Sequence, residues 1–85
     1  MRVTLLEPFA HEFFGGETEL ECEARNLFAL VRALDAKAPG FAEAVEQRAA
    51  VAVDGVHVAD WSASLAGVGE VLIVPRIAGG QGWGR

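Results

Sequence analysis

Val71–Leu72–Ile73–Val74–Pro75–Arg76–Ile77–Ala78–Gly79–Gly80 is the stretch on which the reading of this chain turns. Its first four residues are apolar and mostly β-branched, which predicts a buried strand. Pro75 has no N–H to donate, so it is expected to end ladder pairing. Side-chain bulk then falls away to two adjacent glycines. Without Cβ atoms, Gly79 and Gly80 reach backbone angles closed to other residues and fit a channel too narrow for side chains. A small domain with such an end can present its own main chain to an enzyme. Gly80 is not the last residue, however, because Gln81–Gly82–Trp83–Gly84–Arg85 follow.

Working outward from that strand, Arg2–Glu7 predicts a first strand. Val3 and Leu5 share one face, Leu6 adds apolar content to the other, and Pro8 ends it. Phe9 to Gly16 reads as a connection closing on a Gly15–Gly16 turn. Glu17–Thr18–Glu19–Leu20–Glu21–Cys22–Glu23 has glutamate at every second position, a period of two with one wet and one core face. These two strands are expected to form an antiparallel hairpin. Asn26 is a good N-cap, and Leu27, Leu30, Val31, Leu34 and Ala38 fall on one helical stripe. Arg32, Asp35 and Lys37 take the other side, and Pro39–Gly40 stops the helix. Phe41–Glu46 predicts one or two further helical turns, with Phe41 and Val45 inward. Ala49–Val53 is a strand, Asp54–Gly55 a hairpin turn and Val56–Val58 the return. Trp61–Ala66 reads as an irregular link with room for one 3₁₀ turn. Gly67–Val68–Gly69 is a turn, and Glu70–Ile77 is the last strand.

The order is β-β-α-β-β-β, an α+β class. It predicts a mixed sheet of four to five strands over one main helix. First and last strands are both strongly apolar, so they are expected side by side at the centre, running parallel. The C-terminal tail then leaves from the middle of the sheet. We expect a domain over residues 1–78 and a flexible tail over 79–85 that contains Gly79–Gly80 and the extension.

Composition narrows the function. At 85 residues the chain holds one domain at most. Apolar residues make up 52% of it, enough for a core without staples. A net charge of −5 argues against nucleic acid, which rewards a clustered basic surface. With Cys22 as the single cysteine, no internal disulfide and no thiolate cluster can form. The start of the chain meets Glu7 and Pro8 too soon to read as a signal peptide, and no apolar run reaches membrane-spanning length. A cytoplasmic setting is therefore expected, with no membrane partner.

The strand order, the Gly15 turn, the Asp54–Gly55 hairpin and the ending Glu70–Val71–Leu72–Ile73–Val74–Pro75–Arg76–Ile77–Ala78–Gly79–Gly80 together resemble the ubiquitin-like sulfur carriers of the MoaD and ThiS type. The resemblance runs over nearly the whole chain up to Gly80. It implies a β-grasp fold and a carrier rather than a catalyst. It also implies partners: an E1-like enzyme that uses ATP to adenylate the final glycine, and a sulfur-transfer or synthase partner. By this likeness Gly80 would bear the thiocarboxylate. The activating enzyme would recognise the tail of Pro75, Arg76, Ile77, Ala78, Gly79 and Gly80. No bound cofactor is implied; ATP belongs to the partner. The simple family members stop at the second glycine. Here Gly80 is followed by five residues, and an amide carbonyl cannot be adenylated, so a processing protease acting between Gly80 and Gln81 is expected. Molybdopterin-like, thiamine-like and other pathways all remain open as recipients of the sulfur.

Each singled-out residue has a plainer reading beside the functional one. Gly79–Gly80 can be a bare flexible end. Val74 is a candidate partner contact or a core residue. Trp83 is a candidate anchor for a partner pocket or part of a disordered remnant. Arg76 either steers the tail into an acidic groove or keeps it soluble. Cys22 is expected to pack as a small hydrophobe. His11 and His57 have no ligand set around them, so no metal site is expected. The glutamate ladder is a solvated face that also protects an edge strand from aggregation. Two functions of other classes stay open: a protein modifier joined to target lysines through the same glycine, and a non-reactive β-grasp interaction module.

Overall fold

The computed structural model describes residues 1–76. Its elements are β1 (Arg2–Leu5), α1 (Phe9–Phe14), β2 (Glu19–Glu21), α2 (Leu27–Lys37), α3 (Phe41–Arg48), β3 (Ala49–Val53), β4 (Val56–His57) and β5 (Glu70–Pro75). The five strands form one mixed sheet in the order β2-β1-β5-β3-β4. β1 and β5 are the parallel central pair, from Arg2 opposite Glu70 to Leu5 opposite Ile73. Every other pairing is antiparallel.

The helices cover one face of this sheet. Val3, Leu5, Val71 and Ile73 point toward them and are wholly buried. The predicted stripe of α2 meets those strands: Leu27, Leu30, Val31, Leu34 and Ala38 all belong to the core. Burying one such aliphatic side chain stabilises the fold by roughly 1.5–3 kcal/mol. Asn26 caps α2 as expected, its side-chain oxygen accepting from the Ala29 N–H at 2.9 Å. At the next junction Gly40 has a φ of 99° and starts α3 without a side chain of its own. The Asp35 carboxylate supplies the missing acceptor, taking the Gly40 and Ala42 N–H groups at 3.0 Å each.

Asp54 ties the β3–β4 turn to the last strand. Both turn residues have positive φ, 48° at Asp54 and 85° at Gly55, the geometry of a tight hairpin turn. The Asp54 carboxylate then accepts from the N–H groups of Gly69 at 3.1 Å and Glu70 at 3.0 Å. The start of β5 is thereby held level with the end of β3.

Several expectations need correction. The Phe9–Gly16 connection is not a simple hairpin turn but contains α1. Gly15 is its left-handed C-cap, its N–H returning to the Ala10 carbonyl. Phe9 and Ala10 are buried, so this segment closes one end of the core. Phe13 and Phe14 meet Phe41 of α3 edge-to-face, at centroid separations of 5.4 and 5.2 Å. β2 is shorter than the alternation suggested; Thr18 is exposed, while Leu20 and Cys22 are partly buried against the core. β4 has two residues, and Trp61–Ala66 forms turns and a bend with no helix. Among the described residues α2 is the main helix as expected, the turns expected over Phe41–Glu46 form α3, and α1 is the unforeseen addition.

Pro75 is the last residue of β5, as expected of a residue with no N–H to donate. It lies opposite Ala49, and the Arg76 N–H donates to the Arg48 carbonyl at 2.6 Å. That bond goes to the last residue of α3, and the donor Pro75 lacks would face the side where β1 has already ended.

Candidate functional site

The point where the chain leaves the sheet is the candidate site. Pro75 and Arg76 are exposed there. Arg76 is held twice against the end of α3: its N–H on the Arg48 carbonyl, and its guanidinium Nη2 on the Glu46 carbonyl at 2.8 Å. A cation on the last turn satisfies an orphan carbonyl and suits the helix dipole. Arg76 therefore has a structural role that the two readings of it from sequence did not include. Ile77, Ala78, Gly79, Gly80, Gln81 and Trp83, the remaining candidate residues, lie outside the described residues.

Alternation along β5 puts Leu72 and Val74 on the face away from the helices, and both are partly buried. Pairing brings Ala52 beside Leu72 and Ala50 beside Val74. Leu6, 43% exposed, is fixed alongside because its N–H donates to the Ile73 carbonyl at 3.0 Å. The corner of the open face next to the exit is therefore apolar. The opposite corner is charged. Thr4 Oγ1 donates to Glu70 at 2.7 Å, Arg2 lies 3.5 Å from the same carboxylate, and Glu19 and Glu21 flank them on β2. Val74 thus lies on the open face rather than in the core.

A groove of about 470 Å³ lies on the other side of the exit, between α3, the start of β3 and the segment after β4. Arg76 forms part of its rim, with His57 and Asp60. Its aromatic wall is Phe28 and Trp61, paired edge-to-face at 5.7 Å. The Phe28 N–H donates to the Trp61 carbonyl at 3.2 Å, which fixes the loop against the start of α2. Phe28 is nevertheless 54% exposed. The Asp60 carboxyl is held below its usual range because the Ser62 hydroxyl and N–H both donate to it. The groove was missed in sequence reasoning, although Phe28 carried a signal: it is a large apolar residue off the buried stripe of its own helix.

The other singled-out residues do not gather here. Cys22 is partly buried at the far edge of the sheet, and His11 is exposed on α1. Among the described residues no group of three or more His, Cys, Asp or Glu side chains is placed to hold a metal ion. No helix among them is long and apolar enough to cross a membrane.

A five-stranded mixed sheet with helices on one face and its last strand at the centre defines the β-grasp, ubiquitin-like class. The family model of the ThiS family matches residues 7–80, and the chain belongs to that family. Members of the ThiS family are small ubiquitin-like sulfur carriers, not enzymes, and generally work with E1-like activating enzymes and sulfur-transfer partners. A comparison with curated proteins finds no match for this chain.

Proposed function

We propose that this chain is the precursor of a sulfur carrier whose reactive end is Gly80. A protease removes residues 81–85 and leaves Gly80 with a free carboxylate. An activating enzyme then joins that carboxylate to the AMP portion of ATP, with release of pyrophosphate. Sulfide attacks the carbonyl carbon of the acyl-adenylate. The new C–S bond replaces the C–O bond to AMP, AMP departs, and a thiocarboxylate remains to donate sulfur in the synthesis of a cofactor or metabolite.

The chain contributes shape to these steps rather than catalysis. A carboxylate is a poor electrophile, so activation is left to the partner, and the carrier's task is to deliver a slim chain end. The observation that carries this reading is the exit of β5. A central strand, tied on both sides, ends at Pro75, five residues before Gly80. The extent of the family match supports it, since the match stops at residue 80. The apolar corner of Leu6, Leu72 and Val74 lies next to that exit and serves as the surface against which the activating enzyme packs while the tail enters its nucleotide site.

The test uses a form ending at Gly80, incubated with the activating enzyme, ATP and a sulfide source. Mass spectrometry is expected to show one oxygen of the C-terminal carboxylate replaced by sulfur. Adducts on target lysines would instead identify a protein modifier. An unchanged mass would leave a β-grasp interaction module.

A further inference from the structure

We infer that the open edge of β3 takes up one extended peptide segment of a partner protein, which enters parallel to β3 and pairs through a single residue with the Ala49 carbonyl and the Val51 N–H. The inference goes beyond the carrier reading, because the free donor and acceptor follow from the sheet geometry alone.

The register decides which main-chain groups are free. The Asp54 N–H donates to the Glu70 carbonyl at 2.9 Å and the Arg76 N–H to the Arg48 carbonyl at 2.6 Å, the two ends of a ladder in which Ala49 lies opposite Pro75. Ala50 and Ala52 therefore turn their N–H and C=O groups toward β5, while Ala49, Val51 and Val53 turn theirs toward β4. β4 is too short to meet them all. It pairs with Ala52 and Val53, and one further bond runs from the Val58 N–H to the Val51 carbonyl at 2.9 Å. The Ala49 N–H is spent on the Val45 carbonyl at the end of α3. The Ala49 carbonyl and the Val51 N–H are left, and neither has a backbone partner among the described residues. Ala49 is 5% and Val51 2% exposed, so both groups belong to buried residues, where an unmade bond is costly.

The pair that remains specifies its ligand. An antiparallel strand exchanges both bonds with one residue, which needs the Ala49 N–H or the Val51 carbonyl, and both are taken. In a parallel strand one residue donates to the residue before its opposite number and accepts from the residue after it. A residue opposite Ala50 thus satisfies the Ala49 carbonyl and the Val51 N–H together, the main-chain recognition by which peptides add to sheet edges. The groove of about 470 Å³ supplies the room, since Ala49, Ala50 and Val51 form one wall and the segment from Val58 to Trp61 another. Ala50 faces the open side of the sheet. The neighbours of the paired residue therefore turn toward the helices, where Phe28, Val45 and Trp61 receive apolar side chains. Basic and acidic groups both line the groove, Arg76 and His57 with Glu46 and Asp60, so hydrogen bonds rather than charge select the occupant. Arg76 directly follows the last residue of β5, which sets this edge beside the exit and within reach of a partner that takes the chain end.

The experiment titrates the blocked tripeptide acetyl-valyl-alanyl-valinamide into the 85-residue chain and follows amide and indole NMR signals. The Val51 amide is expected to move downfield saturably, together with the Phe28 amide and the Trp61 indole. The same peptide methylated on its alanine nitrogen lacks the donor that meets Ala49, and is expected to bind about tenfold more weakly, the scale of one lost hydrogen bond. Methylation of the following nitrogen, whose N–H points away from β3, should leave the affinity unchanged. A Val51 amide that stays in place at millimolar peptide overturns the inference, whether or not other groove signals move. Equal affinities of the two methylated peptides overturn it too. A Val51 signal that moves on dilution of the free chain assigns the edge to a second copy, and binding confined to a form ending at Gly80 assigns it to this chain's own end; either result contradicts a partner segment. The titration holds no activating enzyme, ATP or sulfide, so this inference and the carrier reading can fail independently.

Discussion

The two faces of β5 are made from alternate residues of one strand, and they meet different surroundings. Val71 and Ile73 are 0% exposed beneath the helices, while Leu72 and Val74 lie on the open side among Ala50, Ala52 and Leu6. Side chains of similar volume and hydrophobicity thus hold the fold together on one face and are left available on the other. Strand periodicity separates the two sets, but only the placement of α2 and α3 decides which is which.

The comparison can be broken most sharply at Ile73. Ile73→Ala leaves a cavity beneath the helices and should cost about 2–5 kcal/mol, whereas Leu72→Ala on the adjacent position should cost less than ~1 kcal/mol. Urea unfolding of the two variants measures the difference, and equal losses would remove the distinction between the faces. Val74→Glu sharpens it from the other side. It should leave the thermal midpoint within a few degrees of the parent yet slow thiocarboxylate formation on the Gly80-ended form by about tenfold or more, the scale of one lost apolar anchor. An unchanged rate would take the open corner out of the activation step.

Smaller effects belong to the supports. Asn26→Ala should cost ~1 kcal/mol through loss of the α2 cap, read as a shift in the urea midpoint without a change of slope. The smallest effect lies at the charged corner. The Met1 amino group is held above its usual range, chiefly by its hydrogen bond to Glu23 and further by the charge of Glu21. A raised folded-state value means that its contribution is fully present below about pH 8 and fades as pH rises through the folded value. Stability should therefore decline slightly above pH 8, and Glu23→Gln should flatten that decline.

Much of this architecture was legible before the structure. The α2 stripe, the Asn26 cap, the boundaries of β3 and the Asp54–Gly55 turn follow from periodicity and turn chemistry acting locally, and the central β1–β5 pair from the strongly apolar character of both strands. What misled was ambiguity in glycine. Gly15–Gly16 serves as the end of a short helix, and a glycine pair carries the same signal at a hairpin turn and at a left-handed cap. The Glu17–Glu23 alternation overstated β2, whose ladder with β1 pairs residues 19–21 and continues only as single backbone bonds at Thr18 and Cys22. Within the site, Val74 was identifiable from its strand and Pro75 from its chemistry. Leu6, Leu72 and the Phe28–Trp61 wall were not, because they come together only through the sheet register and a loop that no local pattern specifies.

The central claim is that Gly80 becomes the free end of the working protein. Intact-mass analysis of the protein taken from its native cells tests this most directly. The account predicts a population ending at Gly80, part of it carrying sulfur in place of one oxygen of the C-terminal carboxylate. A population that uniformly retains Arg85 would contradict it.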